Sequence, residues 1–275
     1  MTYSTLMAHM ELGRSNKGLL QIAGDLAERF QSRVIGITTC QPVQINFGDS
    51  YASGELFELD REQIKKDIRE AEAEFRSTLQ ARIEILEWRS EVTFEALSDY
   101  LAREARNTDL IITGVTTDNT VIPSRRADTG DLVMQAGRPV LIVPAGVDTL
   151  KLERVVVAWK DTRESRRSIF DALPLLQMAA HVLVVEIATA DELAEARIHL
   201  DNVIHWLKRH GVVAEFIVAA STGDDTVQLN TIVHEHNADT IVAGAYGHSR
   251  VREWAFGGVT RDLLLHGNHC ALVSH

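Results

Sequence analysis

A chain of 275 residues with 45% hydrophobic and 24% charged residues has the make-up of a soluble globular protein of one large or two ordinary domains. Its net charge of −11, with no dense Lys/Arg block, argues against nonspecific nucleic-acid binding, which rests on neutralising phosphates. No apolar run could cross a bilayer and no signal-peptide pattern is present. Cys40 and Cys270 imply neither a disulfide framework nor a zinc site, and the expected compartment is the cytoplasm.

In chain order, the pattern predicts a strand over Ser4 to Met10 and a helix from about Ser15 to Gln31. Leu19, Ala23, Leu26 and Phe30 share one face of that helix at 3–4 spacing. A second strand spans Val34 to Thr38. The stretch from Cys40 to Asp60 holds Pro42, Gly48 and Gly54 with few periodic apolar residues, and is expected to be a loop. A long helix follows, burying Ile64, Ile68, Ala71, Phe75 and Leu79 beneath a solvated face of Glu, Arg and Lys. Then come a strand (Ile83 to Trp88), a helix (Phe94 to Arg106), a strand (Leu110 to Thr113), a helix (Leu132 to Ala136) and a strand (Pro139 to Val143).

Ala145 to Asp148 reads as a linker, dividing the chain into domains 1–148 and 149–275. The plan then recurs. Strand Arg154 to Trp159 leads to helix Arg163 to Met178, which Pro174 should kink. Strand His181 to Ile187 precedes a helix from about Asp191 to His210 with Leu193, Ala196, Leu200, Val203 and Leu207 inward. Strand Val213 to Ala219, helix Asp225 to His236, strand Thr240 to Ala243, helix Val259 to Leu265 and strand Cys270 to Ser274 complete the copy.

The recurrence is visible in the residues themselves. Asn107 to Gly114 (NTDLIITG) matches Asn237 to Gly244 (NADTIVAG) at an offset of 130, and an offset of 150 pairs Met10 with Lys160 and Ile37 with Ile187. The difference implies an insertion in the first half between Thr38 and roughly Glu62. Strands alternating with helices mean parallel sheets covered on both faces.

One stretch organises the chain. Gly244 to Thr260 (GAYGHSRVREWAFGGVT) follows the apolar strand and precedes a helix. Strand, glycine-rich turn and helix can hold an anion with backbone N–H groups. Gly244, Gly247, Gly257 and Gly258 permit close approach of the main chain. The spacing is G-x2-G-x9-G, which is neither the dinucleotide fingerprint nor the Walker loop. Taken alone, such a loop is more often a plain connection than a site; the repeat makes it much more specific.

With its Asp-x-Ile-Val strand, this spacing resembles the universal stress protein family. The resemblance implies two tandem Rossmann-like, doubly wound α/β domains with parallel strand order 3-2-1-4-5. Such sheets bind ligands beyond the carboxyl ends of strands 1 and 4, where the order reverses. It also implies a nucleotide site for ATP or AMP in the second half, made by Ala158, Trp159, Lys160, Asp161, Ile187, Gly244, Gly247, His248, Ser249, Gly257, Gly258, Val259 and Thr260. Two positions depart from the family. Gly258 stands where the family has Ser or Thr, and Lys160 stands where nucleotide-binding relatives carry an Asp that meets the adenosine end. A lysine cannot accept a hydrogen bond. Lys160 could face the phosphates or pair with Asp161 or Glu186.

The first half has lost the loop: Thr117, Ala127 and Asp128 replace Gly247, Gly257 and Gly258. Asp128 would set a carboxylate against any phosphate, so no phosphate-bearing ligand is expected there. Ten of the eleven histidines lie after residue 180, but ligand count and spacing fail for a metal: His234 and His236 point to different helix faces, and His266 and His269 lack an acidic neighbour. Ser249 and Thr260 have no adjacent base, and no carboxylate pair stands out. Trp254 and Phe256 fit a hydrophobic clasp of the loop. The expectation is a non-enzymatic, nucleotide-responsive binding protein without a metal. The alternatives are a slow ATPase or adenylate-handling hydrolase, or a nucleotide-independent interaction protein. The final strand of each half is expected to pair with the other as an intrachain pseudo-dimer. A homodimer of whole chains is a further expectation.

Overall fold

The computed structural model describes residues 2–43, 53–115, 123–245 and 269–275. Its elements are β1 (Thr5–His9), α1 (Lys17–Phe30), β2 (Arg33–Cys40), α2 (Ser53–Leu79), β3 (Leu86–Val92), α3 (Leu97–Glu104), β4 (Leu110–Gly114), α4 (Thr129–Ala136) and β5 (Val140–Val143). The second half follows with β6 (Arg154–Trp159), α5 (Arg163–Asp171), α6 (Leu173–Leu176), β7 (His181–Ala188), α7 (Leu193–Arg209), β8 (Ala214–Ala220), α8 (Asp225–Glu235), β9 (Thr240–Gly244) and β10 (Cys270–Ser274).

The strands form one ten-stranded sheet ordered β3-β2-β1-β4-β5-β10-β9-β6-β7-β8. Each half has the expected order 3-2-1-4-5, parallel within itself. The halves join where β10 runs antiparallel to β5, with Ala271, Leu272 and Val273 opposite Ile142, Leu141 and Val140. The sheet is therefore continuous through the middle of the chain.

Strand alternation sorts the core into two layers. Val155, Val157 and Trp159 of β6 join the layer containing residues of α1, α2 and α5–α7. Val156 and Ala158 face the layer of α3, α4 and α8. Central strands are buried on both sides, which is why β1, β4, β5 and β10 read as unbroken apolar runs. Each fully buried Leu or Ile contributes roughly 1.5–3 kcal/mol.

Local signals set the helix ends. Thr162 caps α5, its hydroxyl accepting from the Ser165 N–H at 3.3 Å. Asp224 caps α8, accepting from Thr226 and Val227 N–H at 3.0 and 3.1 Å. Pro174 interrupts the predicted helix over 163–178. α5 stops at Asp171 and Pro174 sits in the first turn of α6, where its missing N–H costs nothing.

Four expectations need correction. α2 begins at Ser53, so the second part of the expected loop is helical. Leu56, Phe57 and Leu59 there are exposed, so no buried stripe announced this extension; nothing after Gly54 breaks a helix. β3 lies over Leu86–Val92 rather than Ile83 to Trp88. Ile83 instead packs in the turn after α2, and the strand's alternating Glu87, Arg89 and Glu91 lie at a sheet edge. The helix expected from Phe94 begins at Leu97, and Phe94, ahead of it, is 77% exposed. α4 starts three residues earlier than expected, at Thr129, because Asp128 caps it, with the Asp131 N–H donating to Asp128 Oδ1 at 2.9 Å.

The repeat register also needs correction. With NTDLIITG set on NADTIVAG, the ladders carry Leu141 onto Leu272, and these two face each other across the junction. Following the ladders outward, Ile111 matches Ile241, Leu6 matches Val155, and Val34 matches Val182. This register places Met10 against Trp159, Glu11 against Lys160, and Ile37 against Val185. Sequence matching had paired Met10 with Lys160 and Ile37 with Ile187. The match slips by one residue at Met10, which exchanges the two faces of the strand, and by two at Ile37, which keeps them.

Candidate functional site

The crevice of each half lies at the carboxyl ends of its central strands. In the second half these are β6, β7 and β9. On the α8 side their last inward residues are Ala158, Ile187 and Ala243, all in one apolar cluster. Val185 lies opposite Ala158, and Ala158 opposite Ala243. These small and branched side chains make a flat apolar floor.

Backbone geometry draws the wall of this crevice inward. A Cβ placed on Gly244 would come 2.6 Å from the Glu164 carbonyl carbon and the Ser165 nitrogen. Glycine at that position is what lets the N-terminus of α5 close on the end of β9. The turn between β6 and α5 is fixed by the Thr162 N–H donating to Lys160 O at 2.6 Å and the Lys160 N–H donating to Ser165 Oγ at 3.2 Å. Ala245 is fully buried and its N–H donates to Ser274 O at 2.8 Å, tying the start of the loop to β10.

Lys160 is exposed at the rim. Among the described residues it forms no ion pair with Asp161 or Glu186. Asp161 pairs instead with Arg166 at 2.8 Å, and Glu186 meets His199 Nε2 at 3.0 Å. Burial pushes the Glu186 carboxyl above the usual range, against the pull of His199. This Glu186–His199 contact lies on the α7 side, away from the apolar floor. Trp159 also faces that side, where its indole is buried with Nε1 unpartnered. The structure therefore brings Ala158 and Ile187 together, sends Trp159 to the other face of the sheet, and sets the Lys160 charge close enough to Glu186 to draw its carboxyl down, while Gly244 backs onto α5. Ala243 belongs with the first group and carried no signal of its own in the sequence beyond its place in the strand. Gly247, His248, Ser249, Gly257, Gly258, Val259 and Thr260 lie outside the described residues, as do Trp254, Phe256, His266 and the helix expected over 259–265.

The first half has other chemistry at the same positions. His9, Thr39 and Thr113 match Ala158, Ile187 and Ala243. His9 Nδ1 lies 2.9 Å from Thr113 Oγ1, and Thr39 Oγ1 is buried without a hydrogen-bond partner. Burial pushes the His9 imidazole below its ordinary pKa, while the Glu11 carboxylate opposes that shift. Asp128 occupies the mouth of α4 as its cap, its carboxylate taking up a backbone N–H at that helix end. Thr117 lies outside the described residues.

Part of the insertion is fastened over the end of β2. The Gln41 N–H donates to Ser124 O at 2.7 Å, the Val43 N–H donates to Asp60 Oδ2 at 2.9 Å, and Arg125 bridges Asp60 at 3.2 Å and Asp67. Beside it, a cavity of about 520 Å³ is lined by Gly13, Ser15, Gln63, Asp67, Glu70 and Glu74. Arg14 also lines it, but the three carboxylates Asp67, Glu70 and Glu74 leave the lining net acidic. Burial pushes the Cys40 and Cys270 thiols up to about 11 and about 12, far from the range of a reactive thiolate. Among the described residues, no group of three His, Cys, Asp or Glu side chains is placed to hold a metal ion, and no helix is long and apolar enough to cross a membrane.

No protein-family model and no curated protein matches the sequence. Solved structures do match the fold along its whole length. A universal stress protein from Archaeoglobus fulgidus DSM 4304 superposes with a TM-score of 0.70 at 14% identity, covering 98% of each chain. A functionally unknown protein from Pseudomonas aeruginosa PAO1 gives a TM-score of 0.62 at 15% identity, covering 99% of this chain and 92% of its own. The strand order, the internal two-fold and these full-length likenesses agree: the chain carries the fold of tandem universal stress proteins.

Proposed function

We propose that the protein is a tandem universal stress protein: a cytoplasmic, non-enzymatic binding protein of the stress response that takes one ATP or AMP per chain, in its second half. The observation that carries this reading is the contrast at matched positions. Ala158, Ile187 and Ala243 offer an apolar floor for a planar base beside the start of the glycine loop. His9, Thr39 and Thr113 do not, and Asp128 closes the first half to phosphate.

Calorimetry with ATP and with AMP on the full chain tests the proposal. One site per chain is expected, lost in Ala158→Leu, which fills the floor. Binding at two sites, or binding unaffected by Ala158→Leu in a variant that melts normally, would overturn it. Phosphate release should stay at the background rate; sustained turnover would favour the slow ATPase.

A further inference from the structure

Among the described residues the ten-stranded sheet ends in β3 on one side and β8 on the other, and these edges differ in kind. A free edge presents unpaired N–H and C=O groups to any other strand, and proteins blunt such edges with charge. β3 (LEWRSEV) carries Glu87, Arg89 and Glu91. Arg89 is held by Glu87 at 2.7 Å and Glu104 at 2.9 Å. Paired antiparallel with itself over its full length, β3 would set Arg89 against Arg89 and Glu87 against Glu91. Like charges directly opposite each other are destabilising.

β8 (AEFIVAA) has one charge, Glu215, in seven residues. Among the described residues no strand pairs with its outer edge. Val213, just before it, is 85% exposed. Self-pairing centred on Ile217 would use the whole strand. It sets Phe216 opposite Val218 on the α7 face, twice by symmetry. It sets Glu215 opposite Ala219, so no two carboxylates meet. The chain already joins its halves by one such antiparallel junction, β5 to β10.

We propose that β8 is a dimerisation edge, pairing antiparallel with β8 of a second copy about Ile217 to give one sheet through both chains. The pairing is isologous, so it closes at two copies. The outer ends of the joined sheet are then the two β3 strands, whose charges oppose further addition. A seven-residue ladder with little else around it predicts a weak, concentration-dependent dimer rather than an obligate one.

Light scattering and sedimentation of the full chain over a concentration series give the test, alongside two substitutions of equal disturbance to the fold. Ala219→Glu places carboxylates against Glu215 of the second copy at two points; Ala219→Lys places ammonium groups there. The expected result is a reversible dimer, weakened about tenfold or more by Ala219→Glu and kept or tightened by Ala219→Lys, with melting temperature showing that both fold. Hydrogen exchange over 214–220 should slow as concentration rises. A chain monomeric at every concentration, equal effects of the two substitutions, open-ended polymers, or protection elsewhere in the dimer would each overturn the proposal.

Discussion

Leu141 of β5 and Leu272 of β10 lie directly opposite each other, both fully buried, at the point where the two halves become one sheet. Each is the other's counterpart under the internal two-fold, so a single contact measures the junction. Leu272→Ala should cost about 2–5 kcal/mol, as should Leu141→Ala. Because the side chains meet, the double variant should lose less than the sum. Urea unfolding of the four proteins checks this; strict additivity would mean that the two side chains do not share one packed site.

Gly114 and Gly244 hold the same place in the two halves but do not face the same surroundings. A Cβ at Gly114 would meet nothing nearer than Glu11 Oε1 at 4.0 Å, whereas at Gly244 it meets backbone at 2.6 Å. Gly244→Ala should therefore destabilise by about 1–3 kcal/mol through overpacking. Gly114→Ala should stay within about 0.5 kcal/mol of the parent. Thermal unfolding distinguishes them, and equal losses would refute the asymmetry.

Lys160 occupies the place that Glu11 holds in the first half. If the second half carries a weakened nucleotide site, Lys160→Asp restores an acceptor and Gly258→Ser restores a hydroxyl. Each hydrogen bond should be worth roughly 0.5–1.5 kcal/mol. The double variant should bind ATP about tenfold more tightly than the parent, which corresponds to roughly 1.4 kcal/mol. Calorimetry reads the gain directly; no gain in any variant counts against an adenine nucleotide as ligand.

His9 predicts a pH dependence. Its folded pKa is lowered by burial, with Glu11 opposing, so the unfolded chain binds a proton that the folded chain resists. The resulting stability is fully present above the ordinary imidazole pKa near 6.5 and is lost as pH falls from there through the lower folded pKa. The slope contributed by this residue can reach about 1.4 kcal/mol per pH unit. The variant His9→Ala/Thr113→Ala, which copies the second half, should flatten denaturant midpoints between pH 7 and 5. An unchanged slope would place the acid sensitivity elsewhere.

Arg125, Asp60 and Asp67 form a nearly buried trio that fastens α2 to the first crevice. Asp67→Ala leaves the guanidinium with one partner and should cost about 3 kcal/mol. Hydrogen exchange should rise first over 53–67. If exchange there stays at the parent rate, the trio does not hold the extension.

Strand and helix order and the tandem repeat were legible in the sequence, because apolar period and turn residues are local properties, while the junction of the final strands was expected from the family resemblance. The extension of α2 was not, since its early turns expose Leu56, Phe57 and Leu59 and bury no stripe. β3 was displaced because an edge strand alternates charge rather than apolar residues. The match of Glu11 to Lys160 was also out of reach. Counting identities aligns residues to within a position or so, whereas only ladder pairing decides which residue lies beside which, and one step turns a side chain to the other face. Tertiary structure alone therefore sent Trp159 into the α7 layer and left Ala158, Ile187 and Ala243 together at the mouth of the second crevice.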